Sequence, residues 1–382
     1  MEPAATQQEN EKNNKPARLT RTIHNGKIKL PYVTVFISEV NSQLNGKKHT
    51  IRDIAKEAGV SIATVSRFLN GSGYVDSETR NKLEYITNKF NYKPSRAAQS
   101  LKTGKSRQIM LVVPDICNPF YSTMAKTVQF LAKEKGYIVT LYNTNEIISE
   151  EISSIKASSQ ICAEGIILCS IYIRDEVIEE LEQSGIHAVV ANSYEKTAFD
   201  SVHGLRGGGT YLAAKHLINL GHRRIAFAGG PKDSAIESSR YYGYLRALSE
   251  ADLETDHRYC FEMGFSEESG YKAGKYFSAL IPAPTAVCCA NDLIALGLLT
   301  AFNESGIRVP EDLSVTGMDN IPFTNVSRPR LTTVTNDSSA FAESAVRLLF
   351  DRIQGSYWGP PREVVIPRQL IVRDSTSRIS SN

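Results

Sequence analysis

Residues 50–70 read TIRDIAKEAGVSIATVSRFLN, two short amphipathic helices meeting at a glycine. Thr50 to Asp53 has the form of a capping box, because the threonine oxygen can accept a first-turn N–H and a carboxylate there suits the positive end of the helix dipole. Ile54, Ala55 and Ala58 form an apolar stripe, and Gly59 ends the helix. Ser61 caps a second helix running to about Leu69, with Val65, Phe68 and Leu69 inward at helical spacing. Joined by Ala58-Gly59-Val60, the two form a helix-turn-helix unit. A third helix fits Ser77 to Phe90, with Leu83, Ile86 and Phe90 on one face. Lys93-Pro94 breaks that run, and Ser95 can cap a short helix through Ala97, Ala98 and Leu101. Thr103 to Ser106 reads as a linker.

The 382 residues around this stretch are 41% hydrophobic and 22% charged, enough for two or more globular domains. A wholly disordered, collagen-like or coiled-coil chain is excluded. No apolar run approaches the roughly 18 to 20 residues of a membrane span, and Met1 to Lys15 is polar where a signal peptide is apolar, so the reading is a cytoplasmic protein with no membrane partner. Met1 to Lys15 reads as disordered, and Tyr32 to Val40 permits a short strand or helix with no assignable partner. The six cysteines, Cys117, Cys162, Cys169, Cys260, Cys288 and Cys289, lack paired metal-ligand spacing and read as free thiols, with no metal site.

The net charge of +3 is unevenly placed. Residues 1–48 hold eight Lys or Arg against four Asp or Glu, residues 49–105 hold ten against five, and the remainder is acidic by six. A compact basic head on a slightly acidic body points to a polyanion partner for the head and a different task for the body.

Beyond Ser106 the pattern becomes short apolar runs between amphipathic helices: Ile109 to Val113, Ile138 to Tyr142, Gly165 to Leu168, Ala188 to Ala191, Arg224 to Ala228, Ala286 to Cys289 and Leu313 to Thr316. Continuous runs fit parallel strands buried on both faces. With helices such as Tyr121 to Lys135, Gly209 to Leu220 and Ser239 to Glu250 between them, they predict a doubly wound α/β body large enough for two lobes. The domains are then an extension over 1–48, an all-α helix-turn-helix head over 49–105 and an α/β body over 106–382.

In a helix-turn-helix the second helix lies in the major groove. Its outward positions here are Ile62, Ala63, Ser66 and Arg67. Arg67 suits direct readout, since a guanidinium donates two hydrogen bonds to guanine O6 and N7, and Ile62 and Ala63 suit a thymine methyl. Ser61, Thr64, Ser66, Asn70 and Tyr92 suit phosphates.

Residues 50–105 resemble the DNA-binding head of the LacI/GalR family of transcription regulators. The body continues the resemblance in IMLVVPDICNPFYSTM (109–124), HLINLGHRRIAFAGGP (216–231), RYYGYLRAL (240–248), PTAVCCANDLIALG (284–297), SVTGMDN (314–320), RPRLTTV (328–334) and PRQLIVRDST (367–376). The resemblance implies a homodimer binding double-stranded operator DNA, with a two-lobed body like a periplasmic sugar-binding protein and a small-molecule effector between the lobes. It implies a hinge helix over 95–102 whose Leu101 wedges into the minor groove. The implied DNA contacts are Thr50, Ser61, Ile62, Ala63, Thr64, Ser66, Arg67, Asn70, Tyr92, Ser95, Ala98 and Leu101.

For the effector, the resemblance points to Phe120, Arg240, Phe265, Asn291, Asp292 and Asp319. Arginine and carboxylates take paired hydroxyls, and aromatic faces cover the apolar side of a ring. Each has a plainer reading: Asp292 and Asp319 as caps, Phe120 and Phe265 as core. Arg240, read at the start of a helix, is the least comfortable there electrostatically. The effector class is a sugar or sugar derivative, with purines used by some relatives; no cofactor is implied, and a protein corepressor is possible but not indicated. Two segments depart from the family pattern, Val202 to Gly208 and the irregular-looking stretch between Tyr142 and Gly165. The C-terminus, without a leucine heptad, disfavours coiled-coil tetramers.

The expected function is a transcription regulator, a repressor controlled by its effector, and not an enzyme. The alternatives are a cytoplasmic solute-binding protein, which the basic head opposes, and an α/β sugar-acting enzyme, for which GxGxxG, P-loop, GxSxG and HExxH signatures are missing. His203 and His222 read as structural or surface residues.

Overall fold

The computed structural model describes three short backbone strands within residues 23–36, then residues 49–93, 105–192 and 197–379. The chain forms two compact units, 1–98 and 99–382. In the first, β1 (Ile23–His24), β2 (Lys27–Leu30) and β3 (Val33–Phe36) make an antiparallel sheet, with Leu30 opposite Val33. The stretch read without a partner therefore has one over Val33–Phe36.

The three expected head helices form, the first two with their expected caps. In α1 (Ile51–Ala58) the Thr50 oxygen accepts from the Asp53 N–H at 3.3 Å and the Asp53 carboxylate accepts from the Thr50 N–H at 2.8 Å, a complete capping box. Gly59, at φ 66°, supplies the left-handed turn into α2 (Ile62–Asn70), which Ser61 caps through the Thr64 N–H at 3.1 Å. In α3 (Ser77–Lys89) the cap is Asp76. Ile54, Ala55, Ala58, Val65, Leu83 and Ile86 are buried together, with Phe68, Leu69, Phe90 and Tyr92 packed around them. The hinge helix expected over 95–102, with Ser95, Ala98 and Leu101, lies outside the described residues.

The second unit has two lobes, each built on a six-stranded sheet. The first lobe comprises β4 (Gln108–Val113), β5 (Ile138–Asn143), β6 (Gly165–Cys169), β7 (His187–Ala191), β8 (Asp200–Gly204) and β14 (Glu363–Ile366), all parallel, in the order β5-β4-β6-β7-β8-β14. The second comprises β9 (Ile225–Gly229), β10 (Cys260–Glu262), β11 (Ala286–Cys289), β12 (Ser314–Asp319), β13 (Thr332–Thr335) and β15 (Leu370–Ile371), in the order β10-β9-β11-β12-β13-β15. Here β15 runs antiparallel at the edge. Helices α4 (Pro119–Glu134), α5 (Ile148–Gln160), α6 (Asp175–Ser184) and α11 (Ser338–Ile353) serve the first lobe; α7 (Gly208–Asn219), α8 (Ala235–Ser249), α9 (Glu267–Ser278) and α10 (Asp292–Glu304) serve the second. The chain passes between lobes at 205–207, 336–337 and 367–369.

All seven expected strands of the body are present. Five others lie outside that expectation: β8 and β13 lack continuous apolar runs, β13 being Thr-Thr-Val-Thr, and in β10, β14 and β15 the run is only two, three and two residues long. The expectation that all strands are covered on both faces fails at β5, an edge strand with Ile138 and Leu141 exposed. The stretch between Tyr142 and Gly165 is also more regular than expected. Its helix α5 hides from hydrophobic periodicity because polar groups occupy the inward face: Glu151, Ser154 and Ser158 are buried, with the Ser170 hydroxyl donating to Glu151 at 2.7 Å and the serines donating to backbone carbonyls. In the divergent Val202 to Gly208 stretch, His203 is buried in β8, its Nε2 2.5 Å from the Glu363 carboxylate. His222 is buried as well, beside Thr285, Ser314 and the Ser377 carbonyl.

An ion cluster ties the return of the chain to the first lobe. The fully buried Asp200 carboxylate accepts from Arg352 Nη2 and Arg362 Nη2, each at 2.7 Å, and from the Arg362 N–H at 2.8 Å. Both guanidiniums stack on Tyr357, at 4.6 and 4.0 Å. Burial alone would raise the Asp200 pKa, but the arginine hydrogen bonds outweigh it and hold the group below the usual carboxylate range. Because the folded pKa is depressed, this stabilisation is complete above the unfolded carboxylate pKa of about 3.9 and disappears as pH falls through the folded value. Asp200→Ala removes the carboxylate both arginines share, while Arg362 keeps Asp351 at 2.7 Å and Arg352 keeps the Gly359 carbonyl at 2.8 Å, and is expected to cost about 1.5–3 kcal/mol in denaturant unfolding at neutral pH. The gap to the native protein should close as the pH is lowered below about 4; a gap independent of pH would contradict this assignment.

Candidate functional site

On the head, α2 presents Ile62, Ala63 and Arg67 to solvent, with Ser61 and Asn70 at its ends and Thr64 and Ser66 half-buried. Several polar groups already have local partners. The Thr50 hydroxyl donates to Asp53 at 2.9 Å, Ser61 and Thr64 hydroxyls lie 2.9 Å apart, and Asn70 donates to Ser66 at 3.2 Å. Tyr92 is packed against the head core, and burial pushes its phenol pKa up. The aliphatic stem of Arg67 lies against Gly73, whose φ of 77° and lack of a Cβ leave it room. Tyr74, 87% exposed in the loop after α2, was not singled out from the sequence; an aromatic set between Gly73 and Val75 in a glycine-serine stretch was the available signal.

In the body, a cleft of about 350 Å³ separates the two lobes. Its first-lobe wall comes from the loops after β4, β5, β6 and β7, and its second-lobe wall from α8 and the loops leading into α9, α10 and the 336–337 passage. These are the carboxyl ends of parallel strands, where open α/β sheets place ligands. Phe120 and Tyr121 cover the first-lobe side, meeting edge to face at 5.0 Å. Phe265 covers the other side, lying on Gly230, where any side chain would collide with the ring.

Arg240 is the centre of the second-lobe wall. Its Nη1 donates to the Ala290 carbonyl at 2.9 Å, its Nη2 lies 3.8 Å from Asp319 Oδ1, and its guanidinium carbon sits 5.1 Å from the Phe265 ring centre. Asn336 donates to Asp319 Oδ1 at 3.1 Å. Arg240 Nε, a donor, and Asn336 Oδ1, an acceptor, are buried with no hydrogen-bond partner. Burial raises the Asp319 pKa, against the pull of Arg240 and the Asn336 hydrogen bond. An unfilled donor and acceptor beside a carboxylate and an aromatic face are what a ring bearing adjacent hydroxyls can satisfy. Four lining residues also hold positive φ: Asn145 (52°), Glu146 (61°), Asn192 (65°) and Asp319 (113°). Such backbone strain gathers where function over-determines the conformation.

The cleft brings together Phe120, Arg240, Phe265, Asn291 and Asp319. Asp292 does not line it. Its carboxylate is wholly buried behind the wall, accepting from the Ile321 N–H at 2.9 Å and the Thr333 hydroxyl at 2.6 Å. The cap of α10 is Asn291, which accepts from the Ile294 N–H at 2.8 Å and donates to the Phe265 carbonyl at 2.9 Å. The expected position of Arg240 at a helix start is corrected too: α8 begins at Ala235, capped by Ser234, and Glu237 occupies the first turn. Sequence reasoning missed Asp115, Asn118, Tyr121, Asn145, Glu146, Asn192, Ser266 and Asn336. Asn118, Tyr121 and Asp115 stood inside a quoted motif; the others lie in loops with no local signal.

Two family models match the chain, bacterial regulatory proteins of the lacI family over residues 50–95 and the periplasmic binding protein-like domain over residues 214–376. The HTH-type transcriptional repressor PurR of Mannheimia succiniciproducens is 33% identical over 337 residues, 87% of this chain and 99% of that protein. The HTH-type transcriptional repressor CytR of Escherichia coli is 32% identical over 328 residues, 86% of this chain and 96% of that one. The crystal structure of the lac repressor dimer bound to operator and the anti-inducer ONPF superposes with a TM-score of 0.78 at 27% identity, covering 87% of this chain and all of that one.

Arg240→Leu takes from the buried Asp319 the stronger of the two guanidiniums that favour its charge, Arg368 being the other, and is expected to lower the stability of the body by about 3 kcal/mol in urea unfolding. Adding Asp319→Asn should restore at least about 1 kcal/mol, because the buried charge is gone; strictly additive losses would show that the two groups are not paired.

Proposed function

We propose, from the premise that the chain belongs to the lacI family of bacterial regulatory proteins, that it is a DNA-binding transcriptional repressor controlled by a small molecule held between its lobes. It works as a homodimer on double-stranded operator DNA in the cytoplasm, and it is not an enzyme. The observation that carries the reading is one chain holding both an outward α2 with Arg67 uncovered and an interlobe cleft with an unfilled buried donor and acceptor.

In this reading Arg67 reads guanine, Ile62 and Ala63 take apolar base edges, and Ser61, Thr64, Ser66, Asn70 and Tyr92 hold phosphates, with Thr50 placed at the amino end of α1. Residues 95–102 form the hinge segment, Ser95 and Ala98 lying against DNA and Leu101 acting as the minor-groove wedge. The functional divisions are residues 1–48, 49–105 and 106–382. Effector binding changes lobe closure, and closure sets the placement of the two hinge segments in the dimer. The coupling equals the difference in effector affinity between DNA-competent and incompetent states, so an inducer and a corepressor both satisfy it. The cleft chemistry favours a hydroxylated ring, sugar-like in class.

The test is selection of a preferred site from random-sequence duplexes by the full chain, followed by Arg67→Lys. Lysine keeps the charge and loses the two-point hydrogen bond. Affinity for the selected site should fall by about 1–3 kcal/mol, while non-specific binding and its salt dependence stay unchanged. Failure to enrich any site, or equal loss on specific and random DNA, would overturn the reading.

A further inference from the structure

The charge around the cleft narrows the ligand beyond a hydroxylated ring, on the basis of the effector site just proposed. Three carboxylates, Asp115, Glu146 and Asp319, line it against one cation, Arg240, which is already engaged with the Ala290 carbonyl and faces Asp319. Asp115 and Glu146 occupy adjoining loops after β4 and β5, held together by the Glu146 N–H on the Pro114 carbonyl at 3.3 Å and the Thr144 N–H on the Val113 carbonyl at 3.0 Å. Burial raises the Glu146 pKa, and the like charge of Asp115 raises it further, so this side of the cleft already carries repulsion.

Anionic ligands of α/β proteins usually rest on free N–H groups at helix N-termini. Four helices begin at this cleft, and each carries its own side-chain cap. At α4, the Asn118 side chain accepts from the Phe120 N–H at 3.0 Å while the Tyr121 and Ser122 N–H groups go to the Asn118 carbonyl. At α8, Ser234 accepts from the Glu237 N–H at 3.0 Å, and the buried Glu237 carboxylate reaches the Gly230 N–H at 2.7 Å. At α9, Ser266 caps and Glu267 and Glu268 follow; at α10, Asn291 caps and Asp292 follows. Three of the four dipoles are therefore answered by built-in carboxylates.

We propose that the cleft selects an uncharged polyhydroxylated ligand and rejects its phosphorylated or carboxylated counterparts, with Asp115 and Glu146 as the residues that reject them. Arg240 and Asn336 supply the donor and acceptor that hold hydroxyls, and among the described lining residues no second cation stands beside Arg240 to offset the three carboxylates when a phosphate enters.

The test uses the full-length protein in thermal-shift titrations against neutral sugars and nucleosides, each paired with the phosphate ester or acid of the same skeleton. A neutral compound should stabilise the protein, and its charged partner should bind at least about tenfold more weakly. In the isosteric double variant Asp115→Asn, Glu146→Gln that ratio should shrink several-fold, which a merely structural role for the two carboxylates would not produce. A phosphate or acid that binds as tightly as its neutral parent overturns the proposal while leaving the effector cleft standing. No stabilisation by any compound counts against the effector reading and takes this proposal with it.

Discussion

Three passages of chain, at 205–207, 336–337 and 367–369, string the two lobes together, and the cleft exists because of them. A single connection would leave the lobes free to swivel, whereas three side by side restrict them to bending about one axis. The passages are also joined to each other. The Thr335 N–H donates to the Gln369 carbonyl at 2.7 Å, the Gln369 N–H donates to the Thr335 hydroxyl at 2.8 Å, and Arg368 Nη1 donates to the Leu205 carbonyl at 3.3 Å. Asn336 belongs to both hinge and cleft, because it sits in the second passage and donates to Asp319 on the cleft wall. A ligand that takes its free Oδ1 therefore acts directly on the hinge.

The lobes also touch away from the hinge. Arg174 of the first lobe reaches Asp233 of the second at 3.3 Å, and the Ile236 N–H approaches the Ile171 carbonyl at 3.4 Å. Both members of the ion pair are exposed, and exposed pairs contribute about 1 kcal/mol or less. Ile171 of the first lobe is also buried in the apolar core of the second, with Tyr172 packed against it, and a ligand bridging Phe120 and Asn192 on one side to Arg240 and Asp319 on the other adds to these contacts in the closed state. That arrangement suits a switch: the hinge fixes the path of motion, and the ligand shifts the position along it.

Much of this is legible in the sequence. The head is local in sequence, and Thr50, Ser61, Gly59 and the stripe through Ile54, Ala55 and Ala58 occupy the positions their chemistry implies. The central strands announced themselves as apolar runs because both their faces are covered. What stayed hidden depends on long-range contacts. Glu151 on the inward face of α5 is satisfied by Ser170, just after β6, and β8 owes its place to Arg352 and Arg362, more than 150 positions away along the chain. The motif Asn291-Asp292 could be placed at a helix start, but whether cap or carboxylate faced the cleft depended on Ile321 and Thr333, which no local pattern joins to it. Asn145, Glu146 and Asn192 reach the cleft through left-handed backbone, which composition does not reveal outside glycine.

Control of the head by a cleft ligand requires a thermodynamic link between the two, and linkage is reciprocal. The direct measurement is the affinity of a cleft ligand for the free dimer and for the dimer saturated with its selected operator, beside the affinity of operator with and without that ligand. The two ratios should be equal and differ from one by about 5- to 150-fold. A ligand that binds the cleft with the same affinity whether or not operator is present would contradict effector control of the head.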